Sequence, residues 1–306
     1  MLVAEHLKKK YGSVTAVDEL SFEVRPGVVT GFLGPNGSGK STTMRLFIGL
    51  DRPTNGRALV NGKSYVDLHA PLREVGALLE ARAVHTGRTA RNHLRALAAA
   101  NAIPRRRVDE VLGLVGLESV ADKRVGAFSL GMGQRLGLAA ALLGDPGVLL
   151  LDEPVNGLDP EGILWIRTLL QRLAAEGRTV FVSSHLMSEM AVTANELIVV
   201  GRGRLVASGT VAELTRARAG SVAVRADDAS RLAGLLTQAG AVVVPNGADG
   251  LTVSGMDSRE VGRLAADNDI ALIELIPQAA TLEEAFMDIT RQDVEFHANA
   301  TGVSAS

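Results

Sequence analysis

The stretch Gly34-Pro35-Asn36-Gly37-Ser38-Gly39-Lys40-Ser41-Thr42 fits the pattern G-x-x-x-x-G-K-[ST] without a mismatch, and that pattern has meaning only between a strand and a helix. The preceding run, Val28-Val29-Thr30-Gly31-Phe32-Leu33, reads as a buried strand, and Thr43-Met44-Arg45-Leu46-Phe47-Ile48 reads as the first turns of a helix. Glycines reach the φ > 0 conformations that turn successive N–H groups inward, and a helix N-terminus adds positive partial charge. The loop is therefore predicted to wrap nucleotide phosphates, with Lys40 on the β- and γ-phosphates and the Ser41 hydroxyl on Mg²⁺. The competing reading is a glycine-rich turn that merely enters a helix.

Length and composition bound the rest. A chain of 306 residues suggests two domains of about 150 residues each, and 46% apolar residues supply a sizeable core. Lys and Arg total 32 against 34 Asp and Glu, so no overall basic field draws nucleic acid or an anionic membrane. The absence of cysteine excludes disulfides, thiolate metal sites and thiol catalysis. Met1 to Lys10 is charged and has no apolar centre, unlike a signal peptide. The most apolar region, Leu136 to Leu151, is broken by Asp145-Pro146 and is too short to span a bilayer, so a soluble chain is expected.

Along the chain, Val3 to Leu7 and Leu20 to Val24 alternate as strands around a turn at Tyr11-Gly12-Ser13. Tyr11, one of two tyrosines, either packs in that turn or stacks on a purine ring. Arg57 to Val60 reads as a further strand. Residues 84–128 read as a mostly helical insertion. Ala90 to Ala100 forms one helix, and a second carries Val108, Val111, Leu112 and Val115 on one face with Pro104 in its first turn. Arg105-Arg106-Arg107 is assigned to the solvated face of that second helix rather than to a phosphate patch. Ser129 is a candidate N-cap leading into the helix Leu136 to Leu143; its role is either to start that helix or to offer an anion a hydroxyl and helix-terminal N–H groups. Val148 to Leu151 is a buried strand that delivers Asp152 and Glu153 to its C-terminal end, where open α/β sheets bind ligands. The two carboxylates are either solvated loop residues or divide the labour, Asp152 on the Mg²⁺ shell and Glu153 near an attacking water. Thr179 to Val182 is another buried strand, ending in Ser183-Ser184-His185, and of the six histidines His185 alone holds such a strand end.

Beyond Gly209 the pattern changes to strand 221–226, helix 229–239, strands 241–244 and 251–253, helix 258–266 and strand 271–276. That β-α-β-β-α-β order is ferredoxin-like. It carries no phosphate loop or acid pair, so a regulatory or partner-binding role is expected. Thr281 to Thr290 is expected to be an amphipathic helix, and residues 291–306 a disordered tail.

Taken together, residues 2–215 resemble the ATP-binding subunit of an ABC transporter. The resemblance implies an α/β fold with a P-loop NTPase core of the ABC type, an antiparallel β subdomain and a helical subdomain at about 84–135, in a domain 1–215 followed by a small α+β ferredoxin-like domain at 216–290. It makes Tyr11 the adenine-stacking aromatic, Gly34 to Thr42 the Walker A loop and Ser129 to Arg135 the signature segment. Val148 to Glu153 becomes the Walker B strand, Asn156 to Asp159 the D-loop and His185 the switch histidine. Two departures stand out. A loop position that is glutamine in most of the family is Glu80 here, a further candidate Mg²⁺ contact that brings negative charge toward the γ-phosphate. The signature keeps Ser129 and Gly131, but Leu130 replaces its first glycine and Met132 its glutamine.

The resemblance further implies that two chains pair head to tail, each ATP lying between Lys40 and its loop on one subunit and Ser129 and Gly131 of the other. Such trans stabilisation is comparable to an arginine finger, for which about 10³ to 10⁵ in rate is typical. Glu153 would activate the water, His185 would hold the γ-phosphate, and the stroke would drive a separate multi-span membrane permease docked on the helical insertion and the groove near Glu80, placing the chain at the cytoplasmic face of the cell membrane. The single cassette, the Ser-Leu-Gly-Met signature, Glu80 and the small second domain resemble the drug and antibiotic efflux branch, including the bacitracin-exporter type. The alternative is a soluble ABC-type ATPase acting on ribosomes or nucleic acid. Against it stand the single cassette and the lack of a long coiled-coil insertion or a basic stripe with interleaved aromatics. A GTPase would need an N-K-x-D segment, which is missing.

Overall fold

Side-chain alternation over the first residues produces two long strands, β1 (Leu2–Tyr11) and β2 (Val14–Val24), in the computed structural model. The structure describes residues 1–80, 84–216, 221–247, 249–278 and 282–283. Strand β3 (Val29–Leu33) is buried at every position and runs into the phosphate-loop pattern and helix α1 (Lys40–Phe47). After β4 (Asn55–Val60) come the short helix α2 (Pro71–Glu74) and β5 (Val75–Leu78). Three helices follow, α3 (Ala90–Ala100), α4 (Arg106–Leu114) and α5 (Leu130–Leu142). The first unit closes with β6 (Val148–Asp152), α6 (Pro160–Ala175), β7 (Thr179–Ser184), α7 (Met187–Thr193), β8 (Glu196–Gly201) and β9 (Arg204–Thr210).

Two sheets carry this unit. One is antiparallel, in the order β2-β1-β4. The other runs β5-β6-β7-β3-β8-β9, and its neighbours from β5 to β8 are parallel. Parallel strands buried on both faces need continuous apolar runs, which Val148-Leu149-Leu150-Leu151 and Val180-Phe181-Val182 provide. Phe22 of the antiparallel sheet packs on Phe32 and Phe181 of the parallel one, each at 5.7 Å between centroids, and on Phe47 of α1 at 5.9 Å. Full burial of each such ring contributes about 1.5–3 kcal/mol, so this cluster joins the sheets to the helix after the loop.

The chain divides into compact units Met1–Gly209 and Thr210–Asp288, a division before helix α8 (Val211–Arg216) rather than after residue 215. The second unit contains β10 (Ser221–Ala226), α9 (Ala229–Gln238), β11 (Val242–Pro245), β12 (Gly250–Ser254), α10 (Ser258–Asp267) and β13 (Leu272–Gln278). Its sheet is antiparallel in the order β11-β12-β10-β13, and α9 and α10 cover it with Leu232, Leu236, Val261 and Ala265. Helix α10 starts with a capping box between Asp257 and Glu260. Apart from Leu282 and Glu283, the expected helix 281–290 and the tail 291–306 lie outside the described residues.

Several local expectations are corrected. Pro104 does not lie in the first turn of α4: that helix begins at Arg106 with Arg105 as its cap, so the proline precedes it. Arg107 is not on a solvated face; its guanidinium donates to the Leu142 carbonyl at 3.1 Å and to Glu110 at 3.0 Å, tying α4 to the end of α5. Helix α5 starts at Leu130 instead of Leu136, because Ser129 caps it directly.

Candidate functional site

The phosphate loop follows Leu33, the last of five buried residues of β3. Gly39 adopts φ +97, and a Cβ there would lie 2.4 Å from the Ala16 carbonyl oxygen, so only glycine fits. Gly37 takes φ +82. Lys40 opens α1 and turns back: its ammonium donates to the carbonyls of Gly34 at 2.6 Å and Pro35 at 3.1 Å. Burial lowers its pKa, opposed by the charges of Glu153 and Asp152. The Ser38 hydroxyl is buried with no hydrogen-bond partner in the protein, a donor inside the loop that an anionic oxygen would satisfy. A cleft of about 230 Å³ opens over this loop, lined by Ala16, Asn36, Gly37, Gly39, Lys40, Ser41, Thr42, Asp152 and Glu153.

Adjacency of the parallel strands builds the rest. Leu33 is paired with Ser184, and Asp152 with Ser183, so the loop after β3, the acids after β6 and His185 after β7 share one sheet edge. Glu153 has φ +49, the left-handed region, at a cost of about 1–3 kcal/mol for a non-glycine residue. Ser183 Oγ accepts from the Glu153 N–H at 3.0 Å and donates to the Asp152 carboxylate. Gln134 Nε2 of α5 donates to the Glu153 carbonyl at 3.1 Å. The Glu153 carboxylate meets His185 Nδ1 at 2.7 Å. Ser183 and Gln134 carried no role in the sequence reading. A lone amide in an alanine- and leucine-rich helix was the available signal for Gln134; Ser183 offered none, because strand pairing alone brings it beside Asp152.

The signature residues stand apart from that cleft. Ser129 is exposed, and its side chain accepts from the Met132 N–H at 3.2 Å, so it caps α5. A Cβ on Gly131 would lie 3.0 Å from the Gly157 carbonyl, and Leu130 packs against Gly157, so the signature turn rests on the loop Asn156 to Asp159. Asp159 then caps α6, accepting from the Gly162 N–H at 2.9 Å. The Arg135 guanidinium stacks 4.6 Å over the Trp165 ring, which ties α5 to α6.

Tyr11 ends β1 rather than occupying the turn, and the residue is 45% exposed. Its hydroxyl donates to Asp51 at 2.9 Å and the Lys9 ammonium lies 4.7 Å above the ring. Burial first, then the bond to Asp51, raises the phenol's pKa. Glu80 is exposed just beyond β5, outside the residues lining the cleft.

The donor set fits a nucleotide with Mg²⁺. Loop glycines, an orphaned buried hydroxyl and a lysine suit phosphates. Among the described residues no cluster of three His, Cys, Asp or Glu could hold a metal by itself. Mg²⁺ characteristically uses one or two protein ligands plus phosphate oxygens and water, which Ser41 and Asp152 are placed to supply.

Comparison with known proteins agrees with this chemistry. The family described as "ABC transporter" matches residues 17–156, and a domain of unknown function, DUF8746, matches residues 220–283. The chain is 34% identical to the uncharacterized ABC transporter ATP-binding protein YhcH of Bacillus subtilis, over 96% of this chain and 97% of that one. It is 43% identical to the bacitracin transport ATP-binding protein BcrA of Bacillus licheniformis, over 65% and 66%. Among solved structures it resembles the ATP-binding cassette MJ0796 in a dimeric post-hydrolysis state bound to ADP and Pi. The TM-score is 0.63 at 25% identity, covering 69% of this chain and 99% of that one.

Proposed function

We propose, for a chain that belongs to the ABC transporter ATP-binding family, that it hydrolyses ATP as one half of a head-to-tail dimer and drives export through a separate multi-span membrane subunit. The observation that carries this reading is a site in two parts. Lys40, Ser41, Asp152 and Glu153 share one cleft, while Ser129 and Gly131 lie outside its lining, on an exposed helix start able to face a second copy.

In this mechanism the loop N–H groups, Ser38 and Lys40 hold the phosphates, and Tyr11 stacks on the adenine. Ser41 and Asp152 would hold Mg²⁺, with Glu80 outside the cleft lining as a further candidate contact, and the ion would supply neutralisation of charge on the phosphate oxygens. Glu153 orients the attacking water and takes its proton, assistance worth about 10² to 10⁴ in rate. His185 keeps the Glu153 carboxylate in place and presents its other ring nitrogen to the γ-phosphate. Ser129, Gly131 and the α5 terminus of the partner complete the anion site. Closure on ATP and opening after hydrolysis form the stroke.

Among the described residues no helix is long and apolar enough to cross a membrane, and this reading assigns contact with the transported molecule to the separate membrane subunit. The bacitracin transport relative supports a drug or antibiotic as cargo, with the chain seated on the cytoplasmic face of the membrane through its permease. Names in the relatives favour this over the soluble ATPase acting on ribosomes or nucleic acid. Purification from detergent-solubilised membranes tests it: a multi-span protein is expected to copurify, and recovery only with ribosomes or nucleic acid would overturn the reading.

A further inference from the structure

Helix α5 buries Leu136, Leu138, Ala139, Ala141 and Leu142, and among them one amide, Gln134, at 6% exposure. A buried amide is unfavourable unless bonded, and a leucine or methionine would fill the same space. Its Nε2 donates to the Glu153 carbonyl at 3.1 Å, across nineteen positions of sequence. From the other side Ser183 Oγ holds the Glu153 N–H at 3.0 Å. The peptide planes on both sides of the Glu153 Cα are thereby anchored, and anchoring both fixes φ and ψ at that residue. The conformation fixed is the left-handed one, φ +49, which a glutamate does not adopt without support. Pro154 follows and cannot donate a hydrogen bond. The Asn156 N–H also reaches the Glu153 carbonyl, at 3.2 Å, but it belongs to the same turn and moves with it. Of these two bonds to the Glu153 carbonyl, the one from Gln134 comes from a separate element.

We propose that Gln134 is a positioning residue for hydrolysis: its amide holds the Glu153 backbone in the left-handed turn that aims the carboxylate at His185 and the attacking water. This rests on the reading of Glu153 as the base. It assigns Gln134 an effect on the chemical step and none on nucleotide affinity, because Gln134 lies outside the lining of the cleft.

The test uses the full chain with Mg²⁺ and ATP. Gln134→Met, which keeps volume and removes the donor, is expected to lower kcat about 10- to 100-fold, leaving KM and the Kd for ATP within about twofold. Amide hydrogen exchange at residues 153–157 is expected to rise without a rise in α5 itself. In a Glu153→Gln background the same substitution should cost nothing further, since Gln134 acts through Glu153. Gln134→Leu provides a second donor-free filling should methionine pack poorly. An unchanged kcat in either variant, or a loss confined to KM, overturns the proposal. The two failures are distinguishable: full turnover in Glu153→Gln removes the base itself, whereas an inactive Glu153→Gln beside a fully active Gln134→Met removes only the role of Gln134.

Discussion

His185 Nδ1 lies 2.7 Å from Glu153 Oε2, linking the residues that follow two neighbouring parallel strands. With Nδ1–H donating to the carboxylate, the opposite ring nitrogen is free to face a phosphate. Glu153→Gln is expected to lower ATP hydrolysis by about 10² to 10⁴ while ATP still binds, so that a dimer accumulates. Size-exclusion chromatography with and without Mg²⁺ and ATP checks this; wild-type turnover in the variant would exclude Glu153 as the base.

Ser183 holds both acids at once, donating to the Asp152 carboxylate and accepting from the Glu153 N–H at 3.0 Å. Ser183→Ala removes the partner that orients a proposed metal ligand. A loss of about 10- to 100-fold in activity is typical for such supporting groups. Steady-state rates across a Mg²⁺ titration should show a higher Mg²⁺ requirement, and an unchanged titration would count against this role.

Ser129 is both a helix cap and the proposed trans phosphate contact, and one substitution separates the two. Aspartate caps helices as well as serine does, so Ser129→Asp should keep α5 and the melting temperature. It places a negative charge where the partner's ATP would approach, so ATP-dependent dimerisation and hydrolysis should be lost together. Retention of both activities by a stably folded Ser129→Asp chain would place Ser129 outside the active interface.

Asp51 joins Arg45, whose Nε donates to it at 2.6 Å, and the hydroxyl of Tyr11. The bond from Arg45 is the largest influence and holds the Asp51 carboxyl below its ordinary pKa. A depressed folded-state value stabilises the fold above the unfolded carboxylate pKa of about 3.9, and that contribution disappears as pH falls through the lower folded value. Asp51→Asn should therefore be less stable than wild type near neutrality, with the gap narrowing below about pH 4. Urea midpoints measured over that range decide it; a gap that widens on acidification contradicts the assignment.

Local chemistry was legible wherever it lies within consecutive residues. The strand, glycine loop and helix around Lys40 follow from apolar runs and left-handed glycines within one short segment, and the acid pair follows a run of four buried apolar residues. Helices α6 and α7 and strands β8 and β9 have no counterpart among the sequence expectations, although Asp159-Pro160 is a cap followed by a first-turn proline. The partial burial of Arg107 is not legible locally because two of its polar partners, the Leu142 carbonyl and Asp145, lie at the end of α5 and in the turn after it, distant in the chain.

The sequence by itself determined the phosphate loop, the Asp152–Glu153 pair and the Ser129 cap, since each depends on neighbours a few residues away. Only the tertiary structure decided that β6, β7 and β3 lie side by side, bringing Lys40, Glu153 and His185 to one sheet edge. It also decided that Ser183 and Gln134 clamp the two sides of Glu153. Strand order and side-chain hydrogen bonds across distant segments are non-local, and hydrophobic period specifies which face is buried without specifying the neighbour that buries it.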